Sequence, residues 1–178
     1  MTRIRHPLAA VLAAAALALA GCSSDPSPVV SAEALAGALD SSDAVTLEDC
    51  GSGGGTGQDA LLRFCSYSVS DTDLTISFEW SDVESEYWQG TRAPSYESAD
   101  LGDETRIEVL VDPQSATDPQ VSLLFEDGTL GWRVSARQIV EDRVYLTEHA
   151  DDIRELLTAQ ADAAARVLLA SNSRPTTW

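Results

Sequence analysis

Two hydrophobic periods divide this chain. In several segments between Leu62 and Ala136 apolar residues recur at every second position, the pattern of strands with one buried face. Leu62 to Ser70 predicts one strand. Leu74, Ile76, Phe78 and Trp80 alternate with Thr75, Ser77 and Glu79 in the next. Asp71-Thr72-Asp73 between them is a tight connection, so the two form an antiparallel hairpin. Ile107, Val109 and Val111 alternate with Arg106 and Glu108 in a third strand, stopped by Asp112-Pro113. Val121, Leu123 and Phe125 make a fourth. Asp127-Gly128 is a hairpin signal, and Leu130, Trp132, Val134 and Ala136 follow as a fifth. Val144 to Leu146 is a candidate sixth. From about Glu148 to Ala170 the period becomes 3.6: Ile153, Leu157, Ala161, Ala164 and Leu168 share one helical face, with Leu156 beside it and Asp162–Arg166 as an i,i+4 pair. A shorter helix is predicted over Ser31 to Leu39. Ser31 caps it, Glu33 lies near the positive end of the dipole, and Leu35, Ala38 and Leu39 form its apolar face. Strands with one apolar face need a cover, and the two helices supply it. The expected fold is α+β, an antiparallel sheet of five or six strands with one face under a long C-terminal helix and a short N-terminal one.

The first residues have a different character. Arg3, Arg5 and His6 precede an uninterrupted apolar run, Leu8 to Ala20, which spans only roughly 20 Å as a helix against a hydrocarbon core of about 30 Å. This is a secretory leader rather than a spanning helix. Its end, Leu19-Ala20-Gly21-Cys22, resembles a bacterial lipobox: Leu, a small residue, Gly, then Cys. The resemblance implies cleavage before Cys22 and a diacylglycerol thioether on its sulfur, hence a membrane anchor at the outer face of the cytoplasmic membrane. The expected organisation is a signal peptide over 1–21, a lipidated tether over 22–29, one extracytoplasmic domain over 30–170 and a polar tail over 171–178. Ser23 to Pro28 is Ser- and Pro-rich and reaches only ~20 Å when extended, which keeps the domain close to its membrane.

Charge narrows the partners. The chain carries 29 Asp and Glu against 11 cationic residues, a net charge of −18. Loss of a leader bearing two Arg and no acid takes this to −20. Nucleic acid is excluded as a partner, and an anionic bilayer would repel the domain's surface. All eleven cations are Arg. With abundant Ala, Asp and Gly, this is the composition of a high-GC bacterium, and the chain is similar in organisation to small actinobacterial lipoproteins with one disulfide, some of which resemble sensor domains.

With Cys22 assigned to lipid, Cys50 and Cys65 remain, and outside the cytosol such thiols pair. The closed loop of about 15 residues is worth roughly 3 kcal/mol in the chain-entropy account. A two-cysteine metal site is the alternative, and no further ligands stand near in sequence. Gly51 to Gly57 lacks the Gly-Lys-Ser/Thr of a phosphate loop and the G-x-G-x-x-G of a dinucleotide fold, and reads as slack that lets the cysteines meet.

Catalytic chemistry is thinly supplied. His149, the one histidine beyond the leader, sits among Glu148, Asp151 and Asp152. Neither Asp71-Thr72-Asp73 nor Asp40-Ser41-Ser42-Asp43 matches a calcium loop. No catalytic residue, metal site or cofactor is assigned. Tyr87 and Trp88, in an aperiodic stretch over 81–104, are candidate binding residues, since aromatics beside a sheet form platforms for ligands or proteins. The expected function is a non-catalytic binding or interaction domain at the cell envelope, its partner an envelope protein or a small molecule. The alternative is a cell-envelope hydrolase using paired carboxylates.

Overall fold

The computed structural model describes residues 26–39, 44–53, 62–70, 72–91, 97–100, 106–112, 119–175 and 177–178. The leader and Cys22, the acids over 40–43, Asp71, most of the glycine-rich loop, and Pro94 with Tyr96 lie outside the described residues. The elements run α1 (Ala32–Ala38), β1 (Val45–Gly53), β2 (Leu62–Val69), β3 (Leu74–Asp82), α2 (Glu86–Thr91), β4 (Glu97–Asp100), β5 (Arg106–Asp112), β6 (Gln120–Asp127), β7 (Leu130–Gln138), α3 (Arg143–Glu148) and α4 (Ala150–Ala170).

All strand pairs are antiparallel, in the order β1-β2-β3-β7-β6-β5-β4. The sheet is two meanders joined where β3 meets β7, a pairing that runs from Leu74↔Gln138 to Asp82↔Leu130. Between β6 and β7 the register Asp127↔Leu130 leaves a two-residue loop, and Gly128 takes φ 66, the left-handed conformation such hairpins require at their first position. The five strands read from alternation and both expected helices are present, and the fold is α+β as the periodicities imply.

Three departures have physical causes. Val144 to Leu146 belongs to α3 rather than a strand: Asp142 accepts from the Val144 and Tyr145 amides and starts a helix there. Strand β1 escapes the alternation test because it is an edge, largely exposed over Val45–Asp49, with a register shift between Leu47 and Asp49. Strand β4 is a four-residue edge paired to β5.

One face of the sheet is apolar by register. Cys65, Phe78, Val134 and Leu123 stand opposite one another in successive strands; Tyr67, Ile76, Ala136 and Val121 form the next row, and Trp80, Trp132 and Phe125 the third. All are buried. Trp80 and Trp132 stack at 5.2 Å, and Tyr67 meets Phe78 edge-on at 5.6 Å. Helix α4 lies over β6 and β7, and α1 fills the space between α4 and β1. The predicted stripe of α4 is the one that is buried, joined by Ala165. Ser31 caps α1 as expected, its hydroxyl accepting from the Ala34 amide at 3.1 Å. The opposite face is not left to solvent throughout. Leu124, Ser122 and Ser135 are buried on it, the two hydroxyls sharing a hydrogen bond at 2.8 Å.

Cys50 and Cys65 face each other across β1 and β2 and form the expected disulfide. Nearby the chain enters the fold earlier than its composition implies. Val29 and Val30 are both buried in the core. The Val29 carbonyl accepts from the Ser171 hydroxyl at 2.8 Å and the Val30 carbonyl from the Tyr67 hydroxyl at 2.6 Å. Near the C-terminus Arg174 pairs with Asp127 at 2.7 Å, and the Arg63 guanidinium lies over the Trp178 ring at 4.8 Å. Among the described residues no helix is long and apolar enough to cross a membrane.

Burial pushes the Tyr67 phenol above its ordinary 10. The neutral phenol is the one that fits the fold, so its contribution is complete below pH 10 and is lost as pH rises through the elevated value. Tyr67→Phe should cost about 1 kcal/mol in urea unfolding at neutral pH, the size of one hydrogen bond. It should also make the loss of stability above pH 10 shallower than in the unaltered chain.

Candidate functional site

Tyr87 and Trp88 lie on α2, and their surroundings give them a structural task. The Ser85 hydroxyl accepts from the Trp88 amide at 3.1 Å and starts the helix. Trp88 is 3% exposed. Its six-membered ring rests on Gly131 of β7, where any Cβ would overlap it. Its indole N–H donates to Glu126 at 3.1 Å. Beside it, the half-buried Tyr87 donates to Glu79 at 3.1 Å, and Glu79 pairs with Arg133 at 3.4 Å. Burial, then the Glu79 charge, raises the Tyr87 phenol. The two aromatics thus close one end of the sheet's second face, and Trp88 offers no exposed ring as a platform. Composition puts aromatics in an aperiodic stretch; the partner that buries Trp88 is a glycine on a distant strand.

His149 occupies the elbow between α3 and α4. Its ring lies against Tyr145, tilted by 36° with centroids 4.3 Å apart, and Nδ1 lies 3.4 Å from Asp152. The carboxylates here have helix-end positions: Asp142 caps α3, and Asp151 and Asp152 stand in the first turn of α4, where the dipole favours anions. Among the described residues no group of three His, Cys, Asp or Glu is placed to hold a metal ion.

The elbow borders an open cleft of about 490 Å³. Asp73 on the β2–β3 turn, Gln138 at the end of β7, the segment Ile139 to Asp142, Tyr145 of α3, and Asp152, Ile153 and Leu156 of α4 line it. Ile139 is 47% exposed, Tyr145 51% and Leu156 48%, and Val144 on the same short helix is 65% exposed. These are four of the six large exposed hydrophobics among the described residues. Leu156 is exposed for a geometric reason. It sits one residue, about 100° of helix, from Leu157, and Leu157 faces the sheet. Ile139 and Val140 follow Arg137 and Gln138 past the last pairing of β7, where Ile139 N–H donates to the Asp73 carbonyl at 3.3 Å. Val140 turns inward and packs against the core. The sequence marks Leu156 as lying beside the buried stripe, but the meeting of 73, 139, 145 and 156 is a tertiary fact that no local pattern carries.

No protein-family model matches the chain, and neither does any curated protein or solved structure.

Gly131→Ala should displace the Trp88 ring. We expect a loss of about 1–3 kcal/mol, the usual range for overpacking a filled site, read by urea unfolding. A red shift of tryptophan emission should accompany it as the indole moves toward water.

Proposed function

We propose that the chain is an extracytoplasmic bacterial lipoprotein, anchored by a lipid on Cys22, whose domain binds a partner at the cell envelope and catalyses no reaction. The observation that carries the binding reading is the cleft at the α3–α4 elbow. A folded domain of this size rarely leaves several large apolar side chains grouped at its surface unless something covers them.

The way the chain enters the fold supports the anchoring part. Pro26 is four residues beyond Cys22, about 13 Å of extended chain. From there Ser27, Val29 and Val30 run beside the disulfide and the C-terminal end of α4. A lipid on Cys22 would hold that end of the molecule at the bilayer. Helix α4 has 21 residues, about 31 Å at 1.5 Å per residue, and the cleft is at its other end. The acid excess opposes collapse of the domain onto anionic lipid, which favours a molecule that stands away from the surface with its cleft outward. Two acyl chains on a diacylglycerol supply firm anchoring without a spanning helix.

Intact-mass measurement on protein extracted from its own membrane without reductant tests this. The expected species begins at Cys22, carries a diacylglycerol increment and lacks two hydrogens for the disulfide. A soluble chain with no lipid, beginning elsewhere, would overturn the anchor.

A further inference from the structure

We infer that the cleft docks a cationic amphipathic segment of a partner protein: an apolar side chain seated among Ile139, Tyr145 and Leu156, with flanking Arg or Lys residues meeting the carboxylates around it. This rests on the interaction reading above and adds the chemistry of the partner.

Two features of the lining select this occupant. Its apolar centre is half exposed, so a partner side chain that fills it removes hydrocarbon surface from water on both sides, the main source of affinity in protein association. Its border carries Asp73, Glu141, Asp142 and Asp152, and no described lining residue is cationic. An apolar centre ringed by one sign of charge complements a segment whose hydrophobic residues are flanked by the opposite sign. The Asp152 side chain, with His149 Nδ1 at 3.4 Å, is still 82% exposed, so an approaching cation can reach it. A second copy of this chain is a poor fit: it brings a strongly negative surface, and like charges brought together at an interface oppose binding. Nucleic acid and anionic headgroups fail on the same sign. Steering adds to fit, since a field of this sign raises the encounter rate with cationic segments.

The test is photocrosslinking in cells producing the full chain, with photoreactive benzoylphenylalanine replacing Leu156, or Ile139 in a second strain, and Glu33 on α1 as the exposed control. Crosslinked peptides are sequenced. The expected adduct joins positions 156 and 139, but not 33, to a segment of another protein in which Arg or Lys flank apolar residues. Combining Glu141→Arg with Asp152→Arg should cut that adduct about tenfold through like-charge repulsion, with α-helical circular dichroism unchanged. An adduct to a neutral or acidic segment, or one indifferent to the charge reversal, would overturn the cationic occupant and leave the interaction reading standing. An adduct to a second copy or to the chain itself would overturn the inference in favour of self-association. No adduct beyond that from the Glu33 position would overturn the interaction reading as well, while the intact mass would still report the anchor by itself.

Discussion

The fold depends on one contact, the seating of α4 on β6 and β7. A 21-residue helix of this composition gains little stability alone, and most helical stability in proteins comes from the packed face. Here that face is large at its ends and small in the middle. Ile153, Leu157 and Leu168 each bury an aliphatic side chain, worth about 1.5–3 kcal/mol when fully removed from water, and Ala161, Ala164 and Ala165 let the helix approach the aromatic rows beneath it. Without that cover Trp132 and Phe125, and the aliphatic residues of β6 and β7 in the rows beside them, would face water. The same helix end receives Val29 through Ser171, and the residues that follow it tie Arg174 to the β6–β7 turn. Core, entry point and C-terminus are therefore one mechanical unit.

What could be read in advance follows from whether the determining contact is local. Strands β2, β3, β5, β6 and β7 and the stripe on α4 were legible because each has its own period, set by the sheet or helix that buries it. Ser31 was legible because a cap acts within one turn. Strand β1 was not, since an exposed edge needs no apolar alternation; it is held by β2 and by the Cys50–Cys65 bridge, whose pairing followed from compartment and count. Val144 to Leu146 shows the limit of a three-residue pattern. An N-capping aspartate two residues before it outweighed β-branched Val144. Trp88 shows another. An aromatic in an irregular stretch is equally suited to a platform or a plug, and the deciding residue, Gly131, contributes by having no side chain. The cleft was invisible for the same reason: Asp73, Ile139, Tyr145 and Leu156 come from four elements.

The functional picture is an asymmetry along α4. One end gathers the Val29 carbonyl, held by the Ser171 hydroxyl, and Arg174, held by Asp127. The other gathers the exposed apolar residues and the carboxylates of the elbow. A short tether on Cys22 would give these ends opposite environments, with bilayer at one and envelope at the other. On the proposed reading the strong negative charge would act twice: it would keep the domain off the lipid and favour cationic segments at the outer end.

The most direct test of this asymmetry is a depth measurement on the lipidated full chain in vesicles. A fluorophore at Ser173→Cys or at Val144→Cys would report energy transfer to an acceptor on the lipid headgroups. The account predicts efficient transfer from position 173 and weak transfer from position 144, the two sites differing in height by about 30 Å, the length of α4. Equal transfer from both, or stronger transfer from 144, would mean that the domain lies flat or inverted and would contradict the outward-facing cleft.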